Sequence, residues 1–162
     1  MSESIPQLVE QLATQLLERG RRVATAESCT GGLIAKTLTD LAGSSDWFDR
    51  GFVTYSNAAK TEMLAVPAYT IESNGAVSQP VACAMASGAL LHSAADYTVA
   101  VTGVAGPGGG SAEKPVGTVW IAVASENTRE ARLHQFEGDR DAVRQATLLA
   151  GLQALLRLID SE

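Results

Sequence analysis

The run Asp96-Tyr97-Thr98-Val99-Ala100-Val101 is almost continuously apolar, which is the pattern of a strand buried on both faces of a sheet. Residues 116–124 form a second run of this kind. Residues 130–136 alternate polar and apolar side chains, as a half-exposed edge strand does. Because 116–124 and 130–136 follow each other directly, we expect an antiparallel portion in the sheet.

Helical patterns separate the strands along the rest of the chain. Leu8, Leu12 and Leu16 recur at helical spacing before Gly20, and Asp139 is placed to cap a last helix. The other predicted elements are strands at 21–26 and 48–56 and helices at 33–41, 57–64 and 80–94. Alternating strands and helices are typical of the α/β class. We predict a three-layer α/β/α sandwich with a mixed, mostly parallel sheet.

Length and composition indicate one domain that spans residues 1–162, with 46% hydrophobic and 19% charged residues. A net charge of −6 disfavours nucleic acid and anionic membranes as partners. The chain has no apolar run of the roughly 20 residues that a membrane helix needs, and its N-terminus is polar, so we expect a cytoplasmic protein. Isolated cysteines and histidines predict neither a metal site nor a cofactor; they are Cys29, Cys83, His92 and His134.

The stretch Thr25-Ala26-Glu27-Ser28-Cys29-Thr30-Gly31-Gly32 lies where a strand passes into a helix. Two glycines permit a sharp bend, and a helix N-terminus presents unpaired N–H groups to an anion. Ser28 is therefore either an ordinary helix cap or a nucleophile, and the local sequence leaves both open. The G-x-S-x-G elbow of α/β-hydrolases is absent. Cys29 is an alternative nucleophile, although a small buried thiol is the favoured interpretation.

A glycine-rich loop, TGVAGPGGGS at 102–111, directly follows the apolar strand predicted at 96–101. Its backbone N–H groups are suited to hold a phosphate or an oxyanion. It matches neither the P-loop nor the dinucleotide fingerprint, because it has no Gly-Lys pair and Ser111 replaces the third glycine. Ligands of such sheets bind at the carboxyl ends of strands, so this loop, the turn at 27–32 and the segment 55–60 are all candidate site segments.

A serine nucleophile needs a base, and two lysines compete for that role. Ser111 and Lys114 match S-x-x-K, but Pro115 and the preceding glycines disfavour the helical stacking on which that motif depends. Lys60 follows a predicted strand in a loop-to-helix position like that of Ser28. Burial and the positive end of the helix dipole would both lower the pKa of a lysine there.

Four separated segments resemble the nicotinamide-nucleotide amidohydrolase family, also called the CinA C-terminal domain family. They are TAESCTGGLIAKTLTDLAGSS (25–45), GFVTYSNAAKTEML (51–64), GAVSQPVA (75–82) and VAVTGVAGPGGGSAEKPVGTVW (99–120), and GDRDAVRQ (138–145) fits as well. The resemblance implies deamidation of nicotinamide mononucleotide to nicotinate mononucleotide and ammonia, without a cofactor. It also implies a homodimer or higher homo-oligomer. The chain resembles the stand-alone enzyme rather than relatives with an added N-terminal domain.

Carried onto this chain, the resemblance places the serine nucleophile at Ser28 and the lysine base at Lys60, with Tyr55 and Thr102 as auxiliary polar residues. We expect the substrate to be bound by Thr30, Gly31, Gly32, Gly103, Gly106, Arg140 and Arg144, with the arginines on its phosphate. Ala58 and Ala65 stand where family members often carry Glu and Gly, a difference that affects the rim and leaves the Ser-Lys pair intact. A non-catalytic nucleotide-binding regulator and a general small-carboxamide amidase are the alternative functions.

Overall fold

The middle layer is a five-stranded mixed sheet in a computed structural model that describes residues 3–162. The strands are β1 (Val23–Glu27), β2 (Phe48–Val53), β3 (Tyr97–Gly103), β4 (Thr118–Ala124) and β5 (Arg129–Gln135), in the order β2-β1-β3-β4-β5. β1 pairs parallel with β2 and β3, whereas the β3-β4 and β4-β5 pairs are antiparallel. The sheet is mixed as predicted, and β5 is an edge strand, but five of its seven residues are exposed and none is buried, so it is more exposed than the alternation predicted.

Helices cover both faces of this sheet. They are α1 (Ile5–Arg19), α2 (Leu33–Thr39), α3 (Asn57–Leu64), α4 (Ala68–Asn74), α5 (Gln79–Leu91) and α6 (Arg140–Ser161), with a 3-10 turn at Ser44–Asp46. α1, α2 and α6 pack on one face, and α3, α4 and α5 pack together on the other. Each face has its own buried apolar cluster, built around Leu12 and Leu152 on the first and Val81 and Met85 on the second. The predicted three-layer sandwich is confirmed.

Local caps explain where several helices begin. The hydroxyl groups of Ser4, Ser56 and Ser78 each accept the N–H of the residue three positions later, and the Asp139 carboxylate does the same for α6. α6 is long and apolar enough to cross a membrane by length and composition alone. In this fold, however, 56% of its most apolar window is buried, as expected of a core helix.

Several elements differ from the sequence-based predictions. β2 ends at Val53 rather than at 56, and β3 continues to Gly103 rather than ending at 101. α4 was not predicted, because its seven residues bury Ile71 alone and so carry no apolar period. The expected strand at 21–26 begins later, at Val23, and reaches Glu27. The shift places the end of β1 directly before Ser28.

The connections from β1 define a crevice. The chain leaves β1 through α2 on one face, and it passes from β2 to β3 through α3, α4 and α5 on the opposite face. β1 therefore lies between two parallel neighbours that are reached over opposite sides of the sheet. In open α/β sheets, ligands bind outside the carboxyl ends of the strands at such a position.

Candidate active site

A cleft of about 290 Å³ lies at the carboxyl ends of β1 and β3. The three segments that sequence analysis expected at a site converge here, together with the loop before α5 and the start of α6. The lining residues are Ser28, Cys29, Tyr55, Asn57, Lys60, Ala76, Val77, Thr102, Gly103, Val104, Ala105, Gly106, Gly108, Gly109 and Arg140. None of these is acidic, so the cleft presents cationic and neutral groups in a chain of net charge −6.

Backbone bonds to both neighbouring strands fix the turn that carries Ser28. The Ser28 N–H donates to the Val101 carbonyl at 3.1 Å, and the Thr54 N–H donates to the Glu27 carbonyl at 2.8 Å. Gly31 and Gly32 then adopt positive φ values of 60° and 106°, which explains the glycine pair at this bend. The nucleophile candidate is thus held by the sheet itself, at the point where β1 ends.

Lys60 approaches Ser28 from the first turn of α3. Its Nζ lies 3.0 Å from Ser28 Oγ, and the side chain is 1% exposed. Nζ also donates to the Thr54 and Tyr55 carbonyls, each at 3.1 Å. Burial lowers the pKa of Lys60 from its ordinary value. A neutral amine has two N–H donors and one lone pair, so it can satisfy both carbonyls and still accept the Ser28 proton.

The two auxiliary residues line the cleft but contact other groups through their side chains. The Tyr55 hydroxyl accepts a hydrogen bond from Arg140 Nη2 at 3.1 Å, and its ring is at the exposed rim. Thr102 donates its hydroxyl to the Ala76 carbonyl at 3.0 Å, which holds the loop before α5 against the end of β3. Arg140 Nη1 donates to the Gly106 carbonyl at 2.7 Å. Arg140 therefore joins the glycine-rich loop to Tyr55 across one end of the cleft.

The first turn of α2 is capped from outside the helix, and Thr30, Gly31 and Gly32 are not among the residues that line the cleft. Gly32 is the N-cap residue of α2 and provides no side-chain cap. Glu27 supplies the cap instead, because its carboxylate accepts the N–H groups of Ile34 and Ala35 at 2.8 and 3.0 Å. Thr30 donates its hydroxyl to the same carboxylate at 2.6 Å. These donors are already bonded within the protein.

The expected substrate-binding residues thus fall into two groups. Gly103, Gly106 and Arg140 line the cleft. Thr30, Gly31, Gly32 and Arg144 are not among its lining residues. Arg144 Nη2 donates to the Thr30 carbonyl at 3.0 Å, so it supports the turn from behind. Position along the chain had placed both arginines near the site, but they lie one helical turn apart on α6, and only Arg140 reaches the cleft.

The alternative nucleophile, Cys29, is a buried thiol in the wall of the cleft, whereas His92, His134 and Lys114 lie outside the cleft. Cys29 is buried, and burial raises the pKa of its thiol to about 11, which disfavours the reactive thiolate. His92 ends α5 and His134 lies in β5, so neither lines the cleft. Lys114 Nζ donates to the Asn74 carbonyl at 2.7 Å. Within residues 3–162, no group of three or more His, Cys, Asp or Glu side chains is arranged to hold a metal ion.

Comparison with known proteins assigns the fold to a family. Residues 5–159 match the model of the CinA C-terminal domain. The chain belongs to the CinA C-terminal domain family. The match covers nearly all of the described chain, so the sheet, both helical layers and the cleft all lie within this CinA domain.

Three relatives of this CinA domain are similar to it over almost their whole length. A protein named nicotinamide-nucleotide amidohydrolase PncC, from Escherichia coli strain K12, is 55% identical over 150 residues, which are 92% of this chain and 91% of the relative. A Pseudomonas putida protein of the same name is 53% identical over 154 residues, 93% of this chain and 96% of the relative. The crystal structure of competence/damage inducible protein CihA from Agrobacterium tumefaciens has a TM-score of 0.94 at 48% identity, covering 98% of this chain and 99% of that one.

Sequence reasoning gave no individual role to several residues of this CinA site or its support. Asn57, Ala76 and Val77 line the cleft, and Glu27 caps α2. Ala76 and Val77 reach the site through the bond from Thr102, which joins positions 26 residues apart. No periodic pattern reports a contact of that kind. The available signal for Glu27 was its position at the end of a buried strand, since a buried carboxylate requires hydrogen-bond donors.

Proposed function

We propose that this protein is a nicotinamide-nucleotide amidohydrolase that converts nicotinamide mononucleotide to nicotinate mononucleotide and ammonia. The observation that carries the proposal is the buried Lys60 amine at 3.0 Å from the Ser28 hydroxyl, inside a cleft. The names of relatives with 53% and 55% identity support the substrate class. Burial of Lys60 supports a base that is neutral when it meets the serine proton.

The proposed reaction has two halves that use the same pair. In the first, Lys60 accepts the Ser28 proton while Ser28 Oγ attacks the carboxamide carbon. The proton then passes from Lys60 to the amide nitrogen, the C–N bond breaks, and ammonia leaves an acyl-enzyme. In the second, Lys60 takes a proton from water, hydroxide adds to the ester carbon, and the C–O bond to Ser28 breaks. Return of the proton to Ser28 restores the pair and releases the carboxylic acid, which loses its own proton to solvent to give the carboxylate product.

Both tetrahedral intermediates carry a negative oxygen that needs donors. The glycine-rich loop lines the same cleft as Ser28, and Gly106 adopts a positive φ of 84° there. We assign the oxyanion to backbone N–H groups of this loop, with Gly103 and Gly106 as its cleft-lining members. The N-terminus of α2 does not take this role, because Glu27 already accepts its N–H groups.

Release of ammonia from a panel of substrates tests the proposed function. We expect nicotinamide mononucleotide to be hydrolysed much faster than nicotinamide or nicotinamide riboside, because the cleft carries a cation for the phosphate and no acidic side chain. Comparable rates on all three would favour a general carboxamide amidase. Binding of the nucleotide without ammonia release from any of them would favour a non-catalytic nucleotide-binding protein.

Arg140→Ala is expected to weaken selection for the phosphate. A charge-assisted hydrogen bond to phosphate is lost, so kcat/KM for nicotinamide mononucleotide should fall about 10- to 100-fold, mainly through KM. The slower hydrolysis of the riboside should change little. Arg157→Ala is the matched control, because Arg157 is an exposed arginine of the same helix. Equal losses on nucleotide and riboside would contradict a phosphate contact at Arg140.

A further inference from the structure

Glu27 is a fully buried carboxylate next to the nucleophile, and the mechanism above gives it no role. It is the last residue of β1, and its carboxylate accepts three hydrogen bonds from one short segment of the chain. Thr30 donates its hydroxyl at 2.6 Å, and the N–H groups of Ile34 and Ala35 donate at 2.8 and 3.0 Å. The donors lie on both sides of the glycine pair, so one side chain closes the whole turn.

These donors are all neutral, and none of the salt bridges formed within residues 3–162 includes Glu27. The first turn of α2 supplies unpaired N–H groups and the positive end of its dipole, which compensate a buried carboxylate. An amide in its place would keep the volume but would turn an N–H₂ group toward N–H donors. Replacement of Glu27 by Gln therefore removes at least one of the three bonds without emptying space.

The bonds of Glu27 bear directly on where Ser28 Oγ points. Ser28 is held on one side by the β-sheet, through its own N–H and the Glu27 carbonyl. On the other side, the chain is held by the Glu27 side chain at Thr30 and at the first turn of α2. Ser28 and Cys29 are thus fixed at both ends, which restricts the rotation of the segment that aims the hydroxyl at Lys60.

We propose that Glu27 is a positioning residue that, with the Thr30 hydroxyl, holds Ser28 in line with Lys60; this inference rests on the proposed function. The reaction rate falls steeply when nucleophile and base are displaced from each other by a fraction of an ångström to an ångström. Thr30 accordingly acts on the reaction through Glu27 and makes no contact with substrate. The α2 terminus is closed to a substrate anion by the same three bonds.

Two sets of variants test the proposal on the full chain. Glu27→Gln is expected to lower kcat for nicotinamide mononucleotide by about tenfold or more while KM stays within about twofold. Thr30→Val removes the hydroxyl donor with little change in shape and should lower kcat by a smaller factor. Thr30→Ser keeps the hydroxyl and should restore most of the rate. If Glu27→Gln fails to fold, the two Thr30 variants still test the positioning role of the bond between Thr30 and Glu27.

Thr98→Val is the matched control, because Thr98 is also fully buried and donates its hydroxyl to a carbonyl, that of Ala86 at 2.8 Å. It should lower the thermal unfolding midpoint about as much as Thr30→Val does, yet leave kcat unchanged. Wild-type kcat in folded Glu27→Gln and Thr30→Val proteins overturns the inference. A rise in KM with constant kcat in Thr30→Val also overturns it, because that pattern means a direct substrate contact.

A substrate-independent measurement separates this inference from the proposed function. Phenylmethanesulfonyl fluoride reports the nucleophile alone: Ser28 Oγ bonds to sulfur, fluoride leaves, and Lys60 takes the serine proton. Intact-mass spectrometry gives the labelling rate, which should fall in Glu27→Gln and Thr30→Val but not in Thr98→Val. If the wild type releases no ammonia, the proposed function fails while the labelling rates still decide the role of Glu27. Unchanged labelling in folded variants counts against it.

Discussion

Ser28→Ala is expected to lower turnover of nicotinamide mononucleotide by on the order of 10⁴-fold or more. The substitution removes the atom that forms the acyl-enzyme, and no neighbouring group replaces it: the Cys29 thiol is buried, with its pKa raised to about 11. Lys60 keeps both carbonyl acceptors in the variant, so the fold should be retained. Ammonia release by the purified protein, with a thermal unfolding curve alongside, measures the effect.

Ser111→Ala is the matched control for this substitution. Ser111 is the serine of the S-x-x-K match that sequence analysis disfavoured; it is exposed, and its hydroxyl accepts the Lys114 N–H at 3.0 Å. Its variant should keep wild-type turnover. Substantial activity in a folded Ser28→Ala protein would rule out the covalent mechanism and leave Lys60 to activate water directly.

Lys60→Met has the second large effect that we expect, a loss on the order of 10³-fold or more in kcat. Methionine is close to lysine in length and fits a buried site, but it has no lone pair on nitrogen to take the Ser28 proton. Lys114→Met is the control, since Lys114 is a lysine outside the cleft that donates to the Asn74 carbonyl. Equal losses in both lysine variants would indicate a general effect of charge instead of a base at Lys60.

The pH dependence of the wild-type rate tests the proposed role of Lys60 as a base without any substitution. Burial lowers the pKa of Lys60 from its ordinary value of 10.5. Below that lowered pKa the amine is protonated and cannot accept a proton, whereas above it the amine is neutral. The rate should therefore rise with pH through the lowered pKa of Lys60. A rate that does not vary across this range would contradict a neutral Lys60 base.

The fold was largely predictable because its strands and long helices carry strong patterns. DYTVAV became the centre of the sheet, and the direct succession of the segments 116–124 and 130–136 gave the antiparallel pair. α4 escaped detection because a short helix with one buried residue has no period to detect. Half of the strand pairing is antiparallel, since β4 pairs with both β3 and β5.

The site was predictable only in part, because spacing along the chain locates side chains less well than it locates elements. Ser28 and Lys60 were expected to meet, since each follows a parallel strand at the same edge of the sheet. The role of Glu27 was not expected, because it caps α2 from outside the helix, across a bend of two glycines. Arg140 and Arg144 were both expected to bind the substrate phosphate, but they lie one helical turn apart on α6 and only Arg140 lines the cleft. Catalytic roles, the homo-oligomer and the cytoplasmic location stay predictions.

The edge position of β2 has a consequence for how activity is lost under stress. Thr54 and Tyr55, whose carbonyls hold the Lys60 amine, directly follow a strand that pairs with β1 alone. Marginal strands open in local fluctuations that leave the rest of a domain intact. We expect local opening of this edge to admit water to the amine, which would raise the pKa of Lys60 back toward its ordinary value and favour the protonated form. We therefore expect catalysis by the proposed Lys60 base to be sensitive to local opening of this edge strand as well as to global unfolding.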